Sequence, residues 1–307
     1  MPAYPDRVQL IEVGLRDGLQ REATLIPTAD KVALVNALAD AGLTRIQVTA
    51  FVHPKRVPQM ADAEALCQAL PARPDVCYSG LALNRRGVER AAAAGLRQAD
   101  LGLSASDAHS RRNANRSVDE ALTEMTEMTA LARSYGMRVR CAVQCAFGYQ
   151  IPNDVDPGDV LAIIDRFLEL EADEVALADS SGLADPRQVA ELAARVLDRA
   201  GETPLILHLH DTRGLGMANV LAALQTGVRH FDAAFGGLGG CPFIDGAAGN
   251  IATEDTVYLL DRLGITSGVD LPQATAVARQ VGALLQTELS GKITNLMGEP
   301  THAADHF

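Results

Sequence analysis

Short runs rich in Val, Ile and Leu alternate along the chain with longer stretches in which Ala and Leu recur at helical spacing. The short apolar runs fall at 8–13, 45–51, 76–83, 99–104, 138–146, 174–178, 204–210 and 230–235. Each reads as a strand, being too short for a helix and bounded by turn residues. The helical pattern occupies 28–41, 86–94, 118–135, 157–170, 186–200 and 216–225. Repeated strand–helix units pack as a parallel sheet with helices outside it. About eight such units without a break in composition favour a closed (β/α)8 TIM barrel over an open, doubly wound sheet.

Helix punctuation agrees with that count. Thr28 and Ser117 stand where N-caps belong, and only Ser117, with Glu120 three residues on, makes a capping box. Gly42, Gly95, Gly136, Gly201 and Gly227 each follow a helical stretch, where a left-handed residue is wanted. The pattern predicts one domain over 1–307, with the barrel at about 7–264, an extra helix at 271–289 and a polar tail at 302–307. A chain of 307 residues that is 48% hydrophobic has material for a core without disulfide or structural metal.

Charge and cysteine content narrow the class. A formal charge of −12 argues against nucleic acid as a partner, since phosphate binding needs a basic surface. No run approaches the length of a membrane span, and the first 14 residues lack the basic and apolar segments of a targeting peptide. Cys67, Cys77, Cys141, Cys145 and Cys241 are scattered without a C-x-x-C pair, as in a reduced, cytoplasmic protein.

In such a barrel the working face lies at the C-terminal ends of the strands. The polar residues there are Arg16, Asp17 and Gln20; Gln47; Ser104 and Ser106; Gln144; Asp179 and Ser180; His208, His210 and Asp211; and the segment 236–250. Two histidines at i and i+2 of a strand project to one face. In LILHLHD, His208 and His210 are therefore either two core histidines bonded to neighbours or half of an ion site. Barrel closure favours the ion, because the seventh, eighth and first strands become neighbours and bring Asp17 and the loop carrying Asn250 beside the pair. A carboxylate, two imidazoles and an amide oxygen suit Mg²⁺ or Mn²⁺ better than structural zinc. A turn explains Gly14 and Gly18 in EVGLRDGLQRE but not Arg16 beside Asp17, a placement that supplies positive charge to an oxyanion. The glycine-rich FGGLGGCPFIDGAAGN reads as a hinged lid with Cys241 as a candidate proton donor or acceptor.

The segments EVGLRDGLQRE, FVHPKRVPQM, HLHDTRGLGMAN and GGLGGCPFIDGAAGNIATEDTVYLL together resemble the 3-hydroxy-3-methylglutaryl-CoA lyase family, within a wider group of barrel metallolyases and Claisen-type condensing enzymes. The likeness runs from about residue 8 to 263. Position by position it implies Asp17, His208, His210 and Asn250 as metal ligands, Arg16 as the enolate-stabilising arginine, Cys241 as the loop cysteine of proton transfer and Asp179 as a supporting acid. Gln20, Gln47, Ser106, Phe147 and Ser180 join Arg16 as candidate substrate contacts. The implied reaction is retro-Claisen cleavage of a 3-hydroxyacyl-CoA to acetyl-CoA and a keto acid (acetoacetate for the parent substrate), with His208 or Asp17 as base. The implied protein is a cytoplasmic homo-oligomer, dimer or tetramer, whose partner is the acyl-CoA thioester rather than nucleic acid or membrane.

Departures from the family pattern lie on the working face. Where it reads close to Glu-Thr-Thr-Ser-Phe-Val after the second strand, this chain has Gln47-Val48-Thr49-Ala50-Phe51-Val52. Cys-Pro-Tyr becomes Cys145-Ala146-Phe147, and Ser and Asp-Thr become Ala176 and Asp179-Ser180. Each change shrinks a polar group while the metal ligands stay, which fits neutral drift or a preference for a different acyl group. An unpaired buried donor costs about 1–3 kcal/mol, so the second alternative predicts a measurable change of substrate. Two other functions stay open: a Claisen-type synthase, and a non-catalytic metal-binding barrel suggested by Gln47. Arg111, Arg112 and Arg116 in HSRRNANRS either hold CoA phosphates or belong to a solvated loop.

Overall fold

A computed structural model describes residues 4–240 and 249–296. The eight apolar runs are eight strands, trimmed at their ends: β1 (Gln9–Glu12), β2 (Arg45–Ala50), β3 (Cys77–Ala82), β4 (Gln98–Ser104), β5 (Arg138–Gln144), β6 (Glu174–Ala178), β7 (Leu205–His208) and β8 (His230–Ala233). They pair in parallel and in sequence order, and β8 closes on β1 with Gln9 opposite His230 and Glu12 opposite Ala233. The result is the (β/α)8 barrel. Around it run α1 (Thr28–Asp40), α2 (Ala63–Ala69), α3 (Arg85–Ala93), α4 (Asp107–Ala114), α5 (Val118–Ser134) and α6 (Pro157–Glu169). The series continues with α7 (Pro186–Ala200), α8 (Gly216–Gln225), α9 (Thr253–Arg262), α10 (Leu271–Leu285) and α11 (Lys292–Leu296). No described helix is long and apolar enough to cross a membrane.

Local chemistry explains where the elements begin and end. Ser117 and Glu120 make the reciprocal capping box expected of them. Thr28 is not a cap: Pro27 precedes the helix, and the Thr28 hydroxyl instead donates to Asp62 (2.8 Å), as does Lys31 Nζ (2.8 Å). The five glycines expected after helices all have positive φ. The basic stretch from residue 109, open above between a phosphate-holding segment and a solvated loop, mostly forms α4. There Ser106 Oγ accepts from the His109 N–H (3.3 Å), Asp107 pairs with Arg111 one turn on (2.7 Å), and Asn115 turns left-handed to end the helix. The helix expected over 271–289 stops at Leu285, because Gln286 turns left-handed and the Thr287 N–H bonds back to Gly282 O (3.1 Å).

The inside of the barrel is divided. Ile11, Val13, Ala176, Ile206 and Ala234 form an apolar cluster. Facing them, Arg45, Gln47, Gln98, Asp100, Arg140, Glu174 and Asp232 are buried polar side chains. Period-2 alternation puts 45 and 47, and 98 and 100, on that face, and Arg140 and Asp232 join them two positions in from the half-buried or exposed strand starts at 138 and 230. Each buried charge has a partner: Arg140 donates to both Asp232 oxygens (2.8 and 2.5 Å), and Arg45 pairs with Glu174 (2.5 Å). Removing one member of such a pair costs about 3–5 kcal/mol, since the other is left charged and buried.

Two further carboxyls fasten the β1–β8 seam. Glu12 accepts the N–H groups of Gly14 (2.6 Å) and Phe235 (3.1 Å) and the Thr253 hydroxyl (2.7 Å). Glu254 accepts the Gly236 N–H (2.9 Å). Position 14 must be glycine, because a Cβ there would sit 2.6 Å from the Glu12 carboxyl and from the Phe235 ring. Burial, opposed by these hydrogen bonds, lifts Glu12 to about 7; burial, reinforced by Glu12, lifts Glu254 to about 8. A carboxyl raised above its unfolded value contributes stability that is complete below the unfolded pKa of 4.5 and lost as pH rises through the folded pKa. The wild-type Tm should therefore fall between about pH 5 and about pH 8.5 by more than that of Glu254→Gln, measured by thermal melts at matched ionic strength. Equal slopes for the two proteins would show that Glu254 is not held protonated.

Candidate metal and active site

The site grows from three neighbouring strand ends. Beyond β1 the backbone makes one wide helical turn, Gly14–Gly18, in which the Asp17 N–H bonds to Val13 O (2.7 Å). That turn sets Arg16 and Asp17 side by side at the barrel mouth, and wide turns of this kind gather at functional sites. His208 ends β7, opposite Asp232 of β8. The next residues of the β7 chain bridge to the segment returning from the glycine-rich loop, with His210 beside Asn250 and Ile251 N–H bonded to Leu209 O (3.1 Å).

These backbones bring Asp17, His208 and His210 together, with one ligand atom of each within 4.8 Å of the others. His208 Nε2 lies 3.7 Å and His210 Nε2 3.9 Å from Asp17 Oδ2, and the two Nε2 atoms are 3.1 Å apart. On its far side the His208 ring meets Asp232 (Nδ1 to Oδ2, 3.1 Å). That carboxylate can only accept, so Nδ1–H donates to it and the Nε2 lone pair faces the site. Burial, then the neighbouring His208, lowers His210 to about 4, so the His210 ring is neutral at pH 7. Burial alone would raise Asp17, but Arg16, His208, His210 and the Asn250 amide hold it well below the usual carboxylate range. Asn250 Nδ2 donates to Asp17 Oδ2 (2.9 Å) and to Leu238 O (2.9 Å), while Asn250 Oδ1 is buried without a hydrogen-bond partner. Two imidazole nitrogens and a carboxylate form a donor set that fits a divalent cation, and the adjoining Asn250 amide, whose nitrogen faces Asp17, carries an unsatisfied oxygen donor. Gly239 keeps Asn250 in place: with φ +116, it would carry any Cβ to 2.5 Å from Asn250 Nδ2.

Arg16 is held from both sides, Nη1 donating to Asp17 and Nε to Gln47. A cavity of about 700 Å³ opens over the cluster, lined by Arg16, Asp17, Gln20, Gln47, Ser180, His208 and His210 among others. Gln144, Arg116 and Gly240 also reach it, while Ser106, Phe147, Arg111 and Arg112 do not line it. Ser106 caps α4, and Phe147 lies in the apolar layer between barrel and helices. Asp179 is buried; one oxygen accepts from Leu183 and Ala184, the other has no hydrogen-bond partner, and burial raises its pKa to about 6 despite those bonds. Cys241 lies outside the described residues. A second cavity, about 610 Å³, lies at the opposite mouth; it holds none of the expected residues, and its Arg45 and Arg138 are paired with Glu174. Sequence reasoning missed Asp100, Arg140 and Asp232. Their signal was a polar or charged pair two positions apart, 98 and 100, 138 and 140, and 230 and 232, in strands that are otherwise mostly apolar.

Known proteins resemble this chain over most of its length. The HMGL-like family model matches residues 7–281. Hydroxymethylglutaryl-CoA lyase of Pseudomonas mevalonii is 42% identical over 283 residues, covering 91% of this chain and 93% of that protein. (R)-citramalyl-CoA lyase of Chloroflexus aurantiacus is 40% identical over 290 residues, covering 91% and 92%. An HMG-CoA lyase of Acinetobacter baumannii, solved in complex with coenzyme A and 3-methylmalate, superposes with a TM-score of 0.91 at 36% identity, covering 98% of each chain. On the family match over residues 7–281 and these relatives, the chain belongs to the HMGL-like family.

Proposed function

We propose that the protein is a carbon–carbon lyase that cleaves a 3-hydroxy-3-methylglutaryl-CoA-like thioester to acetyl-CoA and a keto acid, using Mg²⁺ or Mn²⁺ held by Asp17, His208, His210 and Asn250. The observation that carries this reading is the convergence of two imidazole nitrogens and the Asp17 carboxylate beside Arg16 at the cavity mouth. The family match and the lyases among the relatives support it. When bound, the cation supplies a Lewis acid that lowers the pKa of a hydroxyl.

The residues divide the work by their environments. Asp17, held well below the usual range, is a poor base at neutral pH, which leaves the 3-hydroxyl proton to His208. Asp232, itself clamped by Arg140, stabilises the imidazolium so formed, as a carboxylate does behind a catalytic histidine. His208 has one lone pair, on Nε2, so it would serve as ligand or as base in turn, and Asp17, His210 and Asn250 would be the ligands left whenever it is protonated. The C2–C3 bond breaks, its electron pair passes into a thioester enolate, and Arg16 balances the charge. Cys241, or a water that it positions, protonates C2 to release acetyl-CoA. Gln20, Gln47 and Ser180 line the cavity and orient the acyl group, and Asp179, the first residue past β6, supports the site through its N–H bond to His208 O (2.8 Å).

Incubation of the purified protein with 3-hydroxy-3-methylglutaryl-CoA, citramalyl-CoA and their 3-alkyl homologues should yield acetyl-CoA. Excess chelator should abolish the activity, and Mg²⁺ or Mn²⁺ should restore it. Absence of cleavage across that panel, or cleavage indifferent to chelator, would sink the reading. Asp232→Asn should weaken Mn²⁺ affinity by about 10–100-fold, because the His208 ring loses the acceptor that orients it. Calorimetry with Mn²⁺ measures this, and an unchanged affinity would remove Asp232 from the account.

A further inference from the structure

Gln47 occupies the strand-2 position where the family pattern carries a glutamate, and its amide is committed at both ends. The carbonyl oxygen accepts from Arg16 Nε, and Nε2 donates to Asp100 Oδ2 (2.5 Å). Asp100 is buried and fixed in turn by the Ser79 hydroxyl (2.6 Å) and Gln98 Nε2 (3.0 Å). A carboxylate has no proton to give, so Asp100 dictates which end of the amide faces it and thereby turns the carbonyl toward Arg16. A glutamate at position 47 would set carboxylate against carboxylate, both largely buried at the base of the cavity.

We propose that Asp100, acting through Gln47, positions the Arg16 guanidinium, so that a carboxylate two strands away on β4 stands in for the strand-2 carboxylate of the family pattern. Asp100 is a positioning residue rather than a catalytic one, and the pair is a unit: Gln47 suits this barrel because Asp100 is there. The inference rests on the lyase reading for the role of Arg16, and the test separates the two.

The test is a double-mutant cycle. Gln47→Glu alone should lower kcat by about 30–100-fold with KM changed little, as expected when a group that acts in the transition state is misplaced. Gln47→Glu combined with Asp100→Asn should return kcat to within about fivefold of wild type, because the new amide donates to the new carboxylate. Oxalate affinity in the presence of Mg²⁺, read by calorimetry, should follow the same loss and rescue, since a planar dianion meets Arg16 as an enolate would. This second readout carries the test even if the wild-type protein cleaves no thioester, an outcome that counts against the lyase reading instead. If Gln47→Glu melts below the assay temperature, Asp100→Asn alone decides: kcat should fall about 5–10-fold with Mn²⁺ affinity within about twofold of wild type. Additive losses in the double variant, or an Asp100→Asn enzyme with unaltered kcat, would overturn the proposal.

Discussion

Hydrogen bonding between β8 and β1 is the interaction on which the site depends. It draws the Gly14–Gly18 turn beside the ends of β7 and β8, so that a carboxylate from one end of the chain lies under 4 Å from two imidazoles near the other. Glu12 stands at that seam and binds both sides of it, reaching Gly14, Phe235 and Thr253. The same contacts anchor the roots of the glycine-rich loop, so the placement of Asp17 and that of Asn250 are mechanically linked. A metal site assembled from residues so far apart in sequence tolerates little slack, and ligand geometry held by a rigid scaffold is what catalysis at such a centre requires.

The second constraint is the ionic half of the barrel interior. Closed barrels usually fill with branched apolar side chains, whereas here arginines and carboxylates from β2, β4, β5, β6 and β8 occupy that space. Burying them is tolerable only because each is paired, and the pairing runs in two arms toward the mouth. One arm passes from Arg140 through Asp232 to His208. The other passes from Glu174 through Gln98, Asp100 and Gln47 to Arg16. The charges that cost stability in the core thus orient the imidazole and the guanidinium at the working face.

Much of this was legible in the chain itself. Period-2 apolar runs separated by helical stretches marked all eight strands, and their number implied closure. The His208–His210 spacing, read with closure, pointed to Asp17 and Asn250 as companions. Less visible were α4 and α9, short amphipathic segments whose polar residues look like loop. Phe147 and Ser106 lay on the correct ends of their strands, yet one turns outward into the apolar layer and the other is consumed by helix capping.

What the amino-acid sequence determined alone was periodicity, capping and residue chemistry, because these depend on neighbours a few positions away. Which charges meet across the barrel was decided only by tertiary structure. The spacing of Asp100, Arg140 and Asp232 places each on one face of its strand, but nothing local says whether each is a buried error, a surface group or a partner. Strand register, barrel closure and the exclusion of water together assign them, since a buried charge is stable only where the fold supplies its complement.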